Sequence, residues 1–162
     1  HRDLHSFPTR RSSDLAWAAY TVWGIVNAVN LLQAIGFWSR IQTGGTRINH
    51  LLGYLVILLA APAALALSAF LRARASRLNL AGPIAFLGFV AFMLVVDYIH
   101  PVEFRSPARP EILVPFLLLF FGAILLMGLP MFQFNRRLWL VTVITSAALL
   151  ISMSAAIGKG VG

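Results

Sequence analysis

Residues 16–38 read AWAAYTVWGIVNAVNLLQAIGFW, 23 residues without a charged side chain. At about 1.5 Å per residue, the helical path from Trp17 to Trp38 is roughly 32 Å long. That length matches a hydrocarbon core of about 30 Å with an indole at each interface. The run is too long for a strand and shows no alternation of apolar and polar positions. It predicts an α-helix that crosses a membrane.

Four stretches of the same kind follow, at 48–71, 81–100, 112–132 and 138–157. A spanning helix needs roughly 20 mostly apolar residues, and each stretch supplies them. The fold class is therefore all-α, a polytopic transmembrane bundle of five spanning helices. The connectors are short, so consecutive helices are expected as antiparallel neighbours. No connector has room for a soluble domain, and no repeat of fixed period runs through the chain. Composition agrees: of 162 residues 59% are hydrophobic and 11% charged, against about 25% charged in soluble domains. Mean hydropathy is +0.83. The absence of cysteine excludes a disulfide framework, a zinc ribbon and thiol catalysis. The net charge of +8 does not point to nucleic acid, because the arginines fall in connectors, where they set membrane orientation. The expected partner is the lipid bilayer, with a second copy or another membrane subunit beside it.

Residues 1–15, HRDLHSFPTRRSSDL, break with this pattern. They are polar and lack the form of a signal peptide. They resemble the translation of a sequencing-library adapter: CAC CGA GAT CTA CAC gives HRDLH, and TCT TTC CCT ACA CGA CGC TCT TCC GAT CT gives SFPTRRSSDL. The resemblance implies a non-native tail at 1–15 and a single bundle at 16–162, shortened on its N-terminal side. The first methionine, Met93, fits that expectation. From residue 16 onward there are ten Lys and Arg against three carboxylates, a net charge of +7.

The face where the first helix begins, here the entry face, receives Arg72, Arg74, Arg77, Arg136 and Arg137. The opposite exit face receives Arg40, Arg47, Arg105, Arg109 and Lys159. Five against five balances the positive-inside rule. The tight cluster of Arg72, Arg74 and Arg77 tips the expectation to an N-terminus inside, in a bacterial or archaeal inner membrane.

Helices in lipid associate through small residues and hydrogen bonds. Two seams are expected on that ground, Ala60, Ala64 and Ser68 on the second span and Thr145, Ala148, Ser152 and Ala155 on the fifth. Pro62 should kink the second span. Pro115 is placed in the first turn of the fourth, where proline is tolerated. Gly128 and Pro130 should end or bend that helix.

Three groups of residues are candidates for function. Asn27, Asn30 and Gln33 recur every third residue of the first span, at depths where an amide must find a partner. They form either the polar wall of a path or pocket, or a hydrogen-bonding seam between helices. The second group is His50, Asp97, His100 and Glu103. Asp97 and His100 share a helix face at i and i+3, and ionisable residues near membrane depth are functional candidates. Two imidazoles and carboxylates suit a transition metal, and the histidines suit haem. Asp97 could equally pair with a loop arginine, and Asn49 with His50 could simply open a helix. The third group is a rim of Arg40, Arg47, Arg105 and Arg109 on the same face. Every carboxylate and histidine beyond residue 15, Glu111 included, falls on the exit face. The connection from Pro101 through Pro107 and Pro110 to Pro115 should be stiff.

Phosphate loops, dinucleotide fingerprints, His-Glu-x-x-His and nucleophile elbows are all absent. No lysine precedes Lys159, which disfavours Schiff-base chemistry in the bundle. The leading expectation is a non-enzymatic integral membrane protein without a cofactor, a small transporter-like bundle or a subunit of a membrane complex. One alternative is a membrane metal or haem redox protein using His50, Asp97 and His100. Another is a membrane-embedded enzyme acting on a lipid head group with the exit-face carboxylates and arginines.

Overall fold

The computed structural model describes residues 9–104 and 109–160. It is a helical bundle in which five helical segments are long and apolar enough to span a membrane, in agreement with the expectation from sequence. The helices are α1 (Thr9–Thr43), α2 (Arg47–Leu58), α3 (Ala60–Arg72), α4 (Arg77–Met93), α5 (Pro110–Phe134) and α6 (Arg136–Gly158). A π-helical turn, Leu94–Ile99, continues α4.

The second span is α2 and α3 together, interrupted at Leu59. Pro62 is the cause. It offers no N–H to the Leu58 carbonyl, and its ring crowds that oxygen. The chain tightens in response, and the Leu59 amide bonds the carbonyls of Leu55 and Val56, each at 3.2 Å. The fourth span departs from expectation in two ways. It begins at Pro110 in the first turn, which leaves Pro115 inside the helix. It also does not end at Gly128 and Pro130 but runs on to Phe134. Buried against α6, Gly128 leaves room for the Thr142 methyl, 3.2 Å from where a Cβ would stand.

The bundle closes because α1 packs against α2, α3, α5 and α6, while α3, α4, α5 and α6 pack in sequence. Sequential spans are thus neighbours, and the first and fifth also meet, side by side and parallel. Ala18, Val22, Ile25, Val26 and Val29 form the buried stripe of α1. Phe89 meets the edge of Phe116 and the tilted ring of Phe120 at 5.3 and 5.2 Å between ring centres. Phe104, fully buried, joins Phe116 at 5.3 Å. The exit-face connection is therefore pinned by an aromatic plug. Its Arg109 amide bonds back to the Phe104 carbonyl at 2.9 Å.

Close approach requires glycine at Gly82. A Cβ there would lie 2.9 Å from the Leu126 carbonyl oxygen and the Met127 nitrogen, so α4 touches the backbone of α5. The small-residue seam of the second span sits one position away from expectation. Ala63, Ala66 and Phe70 are buried, whereas Ala64 is exposed and Ala60 and Ser68 are half-buried. On α6, Thr145 and Ser152 are buried as expected, and Ala148 faces outward.

The turn after α3 is a Schellman ending. The Ala75 amide bonds the Phe70 carbonyl at 2.9 Å and the Arg74 amide bonds the Leu71 carbonyl at 3.1 Å. Its left-handed position is normally glycine, and here Arg74 holds it with φ 49°. A left-handed conformation costs an L-residue about 1–2 kcal/mol. The turn between α5 and α6 is one residue, Asn135, whose Oδ1 accepts from the amides of Arg137 at 3.0 Å and Leu138 at 3.3 Å.

Candidate functional site: an amide seam and an exit-face cluster

Asn27 and Asn30 find their partners on the fifth span. Asn27 Nδ2 donates to Thr142 Oγ1 at 3.2 Å and to the Trp23 carbonyl at 2.7 Å. Thr145 Oγ1 donates to Asn27 Oδ1 at 2.8 Å. Asn30 Nδ2 donates to Thr145 Oγ1 at 3.1 Å and to Ser146 Oγ at 2.9 Å. One level toward the entry face, Trp23 Nε1 donates to the Leu138 carbonyl at 2.9 Å. The sequence separation stays at 115–118 residues along the seam, which is the mark of two parallel helices in fixed register. Asn27 is 7% exposed and Asn30 fully buried. One atom is left over: Asn30 Oδ1 is buried with no hydrogen-bond partner. Half-buried Gln33 lies outside the network. Of the expected amide trio, two members form a seam and the third does not join them.

Below the seam, toward the exit face, an open groove of about 390 Å³ lies along α1 and reaches α6 at Ser152. Ala34, Ile35, Trp38, Ser39, Gln42 and Ser152 line it. Ala34 follows Asn30 by four residues, one turn along the same helix.

On the exit face, the π-turn changes what the second candidate group does. Tyr98, which sequence reasoning passed over, is the organising side chain. Its hydroxyl donates to the His50 carbonyl at 3.0 Å. It sits in a notch at Gly53, where a Cβ would overlap the hydroxyl. The Tyr98 ring meets His50 edge-on at 6.0 Å and Tyr54 at 4.9 Å. A one-residue widening of the helix at Leu94–Ile99 aims Tyr98 at α2, and π-turns recur at functional sites. Asp97 is half-buried in the same turn, while His50, His100 and Glu103 are exposed. Among the described residues, no three histidines or carboxylates come together in a group that could hold a metal ion. Sharing a membrane face does not bring three of the described ones together.

The rim divides as well. Arg40 is tied down. Asn49, with its amide oriented to satisfy both its groups, accepts from Arg40 Nε at 2.9 Å and donates to the Gly36 carbonyl at 2.9 Å. Arg47 opens α2 and Arg109 precedes α5, both exposed. Arg105 lies outside the described residues. No family model, curated protein or solved structure matches this chain.

Proposed function

We propose that this chain is a non-enzymatic integral membrane protein that serves as a subunit of a membrane complex. The observation that carries the reading is the seam. Asn27 and Asn30 spend their donors on Thr142, Thr145 and Ser146, joining the first and fifth spans, where a permeation wall would turn them to an open path. Interhelical hydrogen bonds of this kind average about 0.6 kcal/mol and reach about 1.7. Such a scaffold presents apolar faces on α2, α5 and α6 to lipid or to a neighbouring subunit, with Leu58, Leu118 and Ile151 among the most exposed.

Cross-linking in native membranes followed by native electrophoresis tests this. The expected result is a species larger than one 17.8 kDa chain. A strictly monomeric particle that conducts a solute in proteoliposomes overturns it.

The transporter reading keeps one observation in its favour, the unpartnered Asn30 Oδ1 one turn above the groove at Ala34. If that reading holds, Asn30→Leu abolishes flux while the folded protein persists.

A further inference from the structure

We propose that the entry face of the bundle carries a binding surface for anionic phospholipid head groups, built from Arg72, Arg74, Arg77, Arg136 and Arg137. The proposal rests on the membrane-spanning reading.

The fold brings two basic connections together. Gly82 of α4 lies against Leu126 and Met127 of α5, and the two helices are antiparallel. Arg77 stands five residues before Gly82, and Phe132 five residues after Met127. Both therefore rise about 7.5 Å from that contact toward the same face. Phe132 leads to the turn at Asn135 and to Arg136 and Arg137, while Arg77 leads back to Arg74 and Arg72. All five arginines are exposed. The two connections that carry them hold no carboxylate, whereas Asp97, Glu103 and Glu111 lie at the other face.

Two details go beyond charge. Arg136 lies over the Phe132 ring at 5.2 Å from its centre, and Phe132 meets Trp139 edge-on at 5.1 Å. Guanidinium, ring and indole thereby form one cluster at the entry face. Arg74 is the second detail. It occupies a left-handed position that glycine would fill without strain, so the chain keeps a guanidinium there against the preference of its own backbone. Guanidinium groups bind phosphate in paired hydrogen bonds, and basic residues beside spanning helices attract anionic lipid.

The test uses the full chain in vesicles with phosphatidylglycerol or phosphatidylcholine brominated on the acyl chains. The quenching lost on Trp139→Phe reports the lipid beside Trp139. Phosphatidylglycerol is expected to quench at an effective concentration at least about fivefold lower, the factor one surface arginine supplies. Arg136→Gln with Arg137→Gln should reduce the preference most, Arg74→Gly should reduce it less and without loss of folded protein, and Lys159→Gln should leave it intact. Equal quenching by the two lipids overturns the proposal and leaves the membrane reading standing. No quenching by either removes the membrane reading along with it. A preference abolished by inorganic phosphate at constant ionic strength identifies a free-anion site and overturns the assignment to lipid.

Discussion

Two residues show how local chemistry sets this structure. Asn27 makes three side-chain hydrogen bonds at a depth where water is excluded. Asn27→Leu should therefore cost about 1–2 kcal/mol, read from unfolding of the micellar protein in a denaturing detergent. Gln33→Leu, outside the network, should change stability by less than about 0.5 kcal/mol. Equal losses in the two variants would mean that the seam contributes nothing specific. Arg74 gives the opposite sign. Arg74→Gly relieves a left-handed backbone and should raise stability by about 1 kcal/mol in the same measurement. The amides were legible in sequence because polarity inside a 23-residue apolar run stands out. Their partners were not, because Thr and Ser on an apolar helix read equally as packing residues. Tyr98 was missed for a related reason. A tyrosine near a helix end resembles an interfacial anchor, and only the π-turn turns it toward Gly53.

At the scale of elements, the close contacts matter more than the apolar faces. The notch at Gly53 couples α2 to the π-turn. Gly53→Ala should cost about 1–3 kcal/mol by overpacking, and Tyr98→Phe in the same chain should recover part of it. An additive double variant would show that the two residues do not meet. Gly82→Ala should likewise push α4 from the α5 backbone, with a cost in the same range. All five spans were readable from hydropathy and length. Helix ends and breaks were less so. Pro62 breaks the second span as its chemistry predicts, yet Pro130 and Gly128 leave the fourth unbroken. Proline removes one hydrogen bond at either place, and the surrounding packing decides whether the helix continues. The seam at Ala63 and Ala66 lies one position from the expected one because six of the thirteen residues of α3 are alanine, spread around the helix. Such a run gives little signal for the direction of the buried face.

At the scale of the bundle, the alternating direction of the five described spans sets the first and fifth parallel, and their seam joins them. The exit-face histidines and carboxylates show the limit of topology as a guide. Topology assigns a residue to a face of the membrane, whereas convergence depends on helix rotation, which hydropathy does not encode. The seam also has a consequence for biogenesis. Asn27 enters the membrane 115 residues before Thr142. At a synthesis rate of about 5–20 residues per second, the amide waits roughly 6–23 s for its hydroxyl. Throughout that interval Asn27 has the Trp23 carbonyl of its own helix to bond, while Asn30 lacks the hydroxyls of Thr145 and Ser146. A chain stopped at Asn135 would remain in that condition, and pulse-chase labelling should show it degraded faster than the chain that carries the fifth span. The polar clasp between the first and fifth spans thus forms only after the fifth has entered the membrane.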